Sequence, residues 1–172
     1  TIAVENNVSN PTSVIQNLNG IGFVLTTGQT TGSLTSSPTN LIYVASTGDA
    51  ESLAATASGW TVQSNWMGTG LLLTAVGTSV WPGHTMIGDP GVGGSYPNAN
   101  GSIAGNGPHN PFIDDTIFTL YVPGVTSGTS ISSAVFFFGT GSDSVAVPEP
   151  GTLLLLGFGL LGLAAGSRKF RK

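Results

Sequence analysis

A search for chemistry in this 172-residue chain starts from two histidines, His84 and His109, and a handful of carboxylates. Both histidines sit among Gly and Pro. With Asp89, Asp114 or Asp115 they are the candidate ligands for a divalent cation. Their spacing matches no compact ligand motif, and loop histidines are more often solvated or hydrogen-bonded, so neither a metal nor a cofactor is expected. Asp114 and Asp115 are adjacent in "FIDDTIFTLYV". On a strand, neighbours point to opposite faces, so the two are not expected to meet as a carboxylate pair. Glycoside hydrolysis needs two carboxylates facing across roughly 5–9 Å, and nothing in the spacing selects such a pair. Gly-x-Ser-x-Gly and His-Glu-x-x-His do not occur. "GVGGSYPNANG" lacks the glycine spacing of a dinucleotide fingerprint. The chain therefore reads as a protein that is not an enzyme.

The aromatic residues offer a different chemistry. Trp60, Trp66 and Trp81, with Tyr43, Tyr96 and Tyr121, are candidates for stacking on sugar rings. Trp and Tyr also bury well in small β-domains, so carbohydrate binding is the alternative reading.

Charge narrows the partners. Residues 1–147 carry the acids Glu5, Asp49, Glu51, Asp89, Asp114, Asp115 and Asp143, and no Lys or Arg. Such a surface repels phosphate backbones, so no nucleic-acid partner is expected. It also lacks the cationic clamps that hold phosphate or carboxylate substrates. Only 7% of the residues are charged, while 40% are hydrophobic; the apolar share is enough for a core rather than disorder. The neutral, hydroxyl-rich remainder suits an exported protein. Cysteine is absent, so no disulfide staples the fold. "TIAVENNVSN" has neither a basic start nor an apolar run, and is read as a trimmed, mature start.

The elements that position these residues read as strands separated by Gly, Ser, Thr and Pro. The predicted strands are Val14–Ile15, Gly22–Thr26, Leu41–Ser46, Trp60–Asn65, Leu71–Val76, Ile113–Val122 and Ile131–Phe138. In the sixth, Phe118, Leu120 and Val122 share one face. It is expected to pair antiparallel with the seventh. "GDAESLAATASGW" is the one short helical candidate, with acids early and Gly near its end. The Gly- and Pro-rich stretch 88–111 is too long for a hairpin turn and reads as a functional loop or a packed cover. The fold class expected is all-β, a jelly-roll-like β-sandwich over residues 1–147. "TIAVENNV" is a candidate for strand insertion into a neighbouring copy.

Residues 148–172 form a distinct tail. Pro148, Glu149 and Pro150 precede an uncharged run, 152–167, and then the basic stop Arg168, Lys169, Arg171 and Lys172. The prolines favour an extended, exposed hinge. As an α-helix the run would be about 24 Å long, short of a bilayer core of roughly 30 Å, and snorkelling cations extend it. Basic flanks stay cytoplasmic, which places residues 1–147 on the far side. Gly159, Gly162 and Gly166 fall on one helix face, a seam on which two helices approach closely.

"VPEPGTLLLLGFGLLGLAAGSRKFRK" resembles the PEP-CTERM sorting signal in all three parts and their order. The likeness covers the tail. "NGPHNPF", the "FTLYVPGVT" strand and "VFFFGTGSD" are similar, more weakly, to ectodomains of that family. The resemblance implies export by a Gram-negative bacterium, an inner-membrane intermediate, and recognition of Pro148, Glu149 and Pro150 by an exosortase. It further implies surface display and association with exopolysaccharide or biofilm. Combined with the glycine seam, the expectation is a non-catalytic structural protein of the surface or extracellular matrix. That protein associates with itself, as filament subunits do. The alternative is a membrane-anchored carbohydrate-binding protein.

Overall fold

In "LNGIGFVL" Ile21 and Phe23 share one strand face and Gly20 and Gly22 the other, and all four are buried. In the computed structural model this segment is the long strand at the centre of the largest sheet. The structure describes residues 1–36, 41–53, 58–77, 83–105, 109–141 and 143–146, the last four by backbone only. Its strands are β1 (Ile2–Val4), β2 (Leu18–Leu25), β3 (Ser33–Ser36), β4 (Leu41–Val44), β5 (Ala50–Leu53), β6 (Thr61–Trp66), β7 (Gly70–Thr74), β8 (Phe112–Ile113), β9 (Thr116–Tyr121), β10 (Ile131–Phe138) and β11 (Asp143–Ala146). A 3₁₀ turn, Val14–Gln16, leads into β2 behind a Ser13/Gln16 capping box.

The strands form three antiparallel sheets: β11–β10–β2–β7–β6, β1–β9–β3 and β5–β4–β8. Met86 bridges Leu18 on one side and Ile113 on the other, so it couples the first sheet to the third. The inward faces meet in one core: Val4 and Phe118 from the β1–β9 pair, Ile21, Phe23, Leu71 and Leu73 from β2 and β7, and Leu41 and Ile113 from β4 and β8. Trp60 lies against Phe118 with ring centroids 4.9 Å apart. Burial of each such side chain contributes about 1.5–3 kcal/mol. A second cluster, with Val44, Ile87, Tyr96, Ile103 and Phe112, ties β4 and β8 to residues 88–105. Those residues form a packed cover, tied down by Tyr96 N–H to Gly48 O (2.7 Å), Asn100 N–H to Thr12 O (2.8 Å) and Gly105 N–H to Val44 O (2.8 Å).

The all-β expectation holds, and Phe118, Leu120 and Val122 do face the core together. Four expectations are corrected. Val14–Ile15 is part of a 3₁₀ turn, not a strand, because the Gln16 side chain closes the turn on Thr12 and Ser13. The helical candidate begins instead as β5, paired residue for residue with β4 from Leu41↔Leu53 to Val44↔Ala50; tertiary pairing overrides the weak propensity of an Ala/Glu segment. The strand read as Ile113–Val122 is broken between β8 and β9 at Asp114 and Asp115. β9 and β10 are not partners either. β9 pairs with β1 and β3, β10 with β2 and β11, and the connection between them crosses from one sheet to the other. "TIAVENNV" places β1 on the chain's own β9, in the register Ile2↔Phe118. The expected tail helix lies outside the described residues. Among the described residues no helix is long and apolar enough to cross a membrane.

Candidate functional site

The break between β8 and β9 gathers carboxylates. Asp115 N–H donates to Asp114 Oδ1 (2.8 Å), and Asp115 Oδ1 accepts the N–H of Asn6 (3.0 Å). Asp89 arrives from the cover, where its carbonyl accepts the Asn10 N–H at 2.8 Å. Ligand atoms of Asp89, Asp114 and Asp115 then lie within 4.8 Å of one another. The expectation that Asp114 and Asp115 diverge is therefore corrected: they are not on one strand, so alternation does not apply. Burial pushes the Asp115 carboxyl above its usual range; the Asn6 amide pulls the other way, and Asp114 and Asp89 add repulsion. All three acids are exposed, and solvent satisfies such a group without an ion.

Neither histidine joins them as a ligand. His84 Nδ1–H donates to Pro111 O (2.7 Å), its carbonyl accepts Trp60 Nε1–H (2.7 Å), and burial lowers the imidazole pKa. His84 thus locks the approach to β8 onto the start of β6. His109 is partly exposed on the cover. The Tyr96 phenol, wholly buried, donates to Gly88 O at 3.0 Å. Burial raises its pKa, and Asp114, Asp89 and Asp115 raise it further.

The aromatic candidates separate cleanly. Trp60 is core. Tyr96 is core. Tyr43 is half-buried on β4. Tyr121 is exposed on the outer face of β9, and Trp81 lies outside the described residues. A groove of about 410 Å³ between β3 and β6 touches Trp60, but that indole is 4% exposed and presents little ring face.

Trp66 is different. On the outer face of the five-stranded sheet the register sets two cross-strand rows, Val135–Gly22–Leu72–Gln63 and Phe137–Gly20–Thr74–Thr61. A Cβ added at Gly22 would sit 2.5 Å from Trp66 Cζ2, so the indole lies directly over that glycine. At Gly70 an added Cβ would meet Trp66 Cε3 at 3.3 Å. Phe137 meets the indole edge-on, centroids 6.0 Å apart. Together with Gln63, Leu72, Thr74 and Asn19 they line a groove of about 350 Å³. The sequence reading named Trp66 without the groove. The signal it missed is the glycine on every outward position of "NGIGF".

The sorting motif Pro148, Glu149 and Pro150, the seam Gly159, Gly162 and Gly166, and the basic stop Arg168, Lys169, Arg171 and Lys172 all lie outside the described residues. The comparison with protein families bears on them. Residues 146–169 match the family model of the PEP-CTERM protein-sorting motif. No curated protein and no solved structure matches the chain. The chain carries a PEP-CTERM sorting signal, which implies a membrane-anchored precursor exported to the cell surface and processing by an exosortase.

Proposed function

We propose that this chain is a non-catalytic structural protein of the bacterial surface or extracellular matrix, delivered by its sorting tail and associating with copies of itself there. The observation that carries the reading is the sorting motif at 146–169, joined to a β-domain with no Lys or Arg in residues 1–147. An ectodomain so acidic stays soluble and repels anionic surfaces at long range, so contact between copies must come from neutral surface or from the tail.

The ectodomain is read as a jelly-roll-like β-sandwich, a reading supported by the core that the β1–β9–β3 sheet shares with the five-stranded sheet. The engagement of His84 with Pro111 O supports a structural role for that residue rather than an acid–base one. With β1 held on its own β9, self-association falls to the Gly159, Gly162 and Gly166 seam and to the outer sheet surfaces. Ile117 and Tyr121, 61% and 62% exposed on β9, offer apolar area there. The Trp66 groove favours a second reading, a carbohydrate-binding surface protein linked to exopolysaccharide.

Negative-stain electron microscopy of material released from the cell surface tests the assembly. Regular fibres are expected; dispersed single particles across a range of concentrations would contradict it.

A further inference from the structure

We propose that the groove beside Trp66, bordered by Gln63, Leu72, Thr74 and Phe137, is a binding site for a neutral glycan, with Trp66 as the stacking platform. The inference rests on the exported placement of the domain, not on self-association.

Three observations carry it. The first is the seat of the indole. Glycine in the interior of a strand is destabilising relative to alanine, and it often marks close approach of another group. Here Gly20, Gly22 and Gly70 occupy neighbouring strands. The indole lies over Gly22 and Gly70, and a methyl at Gly22 would displace it. The ring therefore occupies space left by the absence of a side chain at Gly22. Phe137 braces its edge. Trp66 is only half-buried, and its remaining surface borders the groove.

The second observation is the lining. Gln63, Thr74 and Asn19 stand among Trp66, Leu72 and Phe137, and among the described residues no charged side chain borders the groove. Asn19 is buried and spends both amide protons on Gly139 O and Gly141 O, each at 2.8 Å, so it offers a ligand no donor. The exposed Gln63 amide both donates and accepts. A purely apolar ligand seated here would bury the Gln63 amide without a partner. A sugar ring offers an apolar C–H face to the indole and hydroxyls to the Gln63 amide.

The third is charge. With no Lys or Arg in residues 1–147, nothing compensates a carboxylated or sulfated ligand, so the site selects uncharged sugars. A volume of about 350 Å³ lies at the small end of ligand sites and suits one or two rings of a longer chain.

The test is isothermal titration of the full chain, held in detergent micelles, with cellohexaose and with an array of uncharged oligosaccharides. The wild type binds at least one uncharged glycan. Trp66→Ala weakens that binding by ~10-fold or more, as for a central aromatic anchor. Trp66→Tyr retains part of it, and Gln63→Ala weakens it by about threefold, the loss of one modest hydrogen bond. Val92→Ser, exposed on the cover and away from the groove lining, leaves it unchanged. Absence of binding by the wild type across the array overturns the proposal. So does unchanged affinity in folded Trp66→Ala. If Trp66→Ala does not fold, unchanged affinity in Gln63→Ala serves the same purpose. Loss of self-association in Trp66→Ala without any glycan binding by the wild type would assign the groove to a second copy instead. Surface delivery is untouched by any of these results, so failure here is separable from failure of the sorting reading.

Discussion

Asn6 shows how much of this fold hangs on single polar side chains. It is buried, and its Nδ2 donates to Gln16 O and Met86 O, each at 3.1 Å, while its backbone N–H holds Asp115. Asn6→Ala leaves buried carbonyl capacity unmet and should cost ~1–3 kcal/mol, read as a lower midpoint in urea unfolding. Two residues set opposite pH dependences. His84 has a lowered pKa in the folded state, so the unfolded chain binds its proton first. Stability present at neutral pH is therefore lost as pH falls below the ordinary value of 6.5 towards the lowered one. Asp115 has a raised pKa, so the folded state binds its proton first. Its strain is relieved as pH falls through that raised value towards the ordinary 3.8. Melting temperatures from pH 8 to 4 should show the first loss flattened in His84→Asn. They should show the second gain removed in Asp115→Asn, whose amide oxygen still accepts the Asn6 N–H. The sequence singled out His84, Asp89, Asp114 and Asp115 as candidate ligands, but not Asn6 nor the convergence of Asn6, Asp89 and Asp115, which chain segments far apart bring together with no local pattern to mark it.

At the scale of elements, periodicity carried the reading as far as periodicity goes. Ile131–Phe138 was predicted with the bounds that β10 has, because Ile131 and the run Val135–Phe138 are β-branched and aromatic and turn residues flank them. The core face of β9 was also readable from Phe118, Leu120 and Val122. Pairing was not readable, since the same pattern serves a hairpin and a crossing between sheets equally well. β1, β3 and β5 are short edge strands, and their few residues carry too little pattern; β5 was mistaken for a helix start for that reason. The glycines of β2 and β7 give the sharpest test of the sheet. At Gly70 a Cβ would lie 2.5 Å from Phe23 O, a backbone atom that cannot step aside. Gly70→Ala should therefore separate β7 from β2 and cost ~1–3 kcal/mol, as overpacking does. Gly68→Ala, with open space around it but a positive φ of 78°, should cost about 1 kcal/mol from backbone strain alone. Paired thermal melts of the two variants would check that order.

Across the whole molecule the sheets share one core rather than folding apart. Phe118 is fully buried where β9 meets Trp60. Phe118→Ala should cost about 3–5 kcal/mol and lower the stability of all three sheets together. Hydrogen exchange should then rise in β4 and β10 as much as in β9; a rise confined to β9 would mean the sheets unfold separately. The division of charge has the same reach: seven acids without a cation before residue 148 and four cations after it. That division was fully legible, as was the sorting motif, since both are written locally in the chain. The groove under Trp66 was not, because it needs β6, β7, β2 and β10 in register.

The central claim is that the tail marks an exported, membrane-anchored precursor for sorting to the cell surface. Following the native chain by mass spectrometry in membrane and surface fractions, with and without the exosortase, tests it most directly. The account predicts surface material lacking the tail when the enzyme is present, and full-length chain retained in the inner membrane when it is absent. Full-length chain free in the cytosol under both conditions would contradict it.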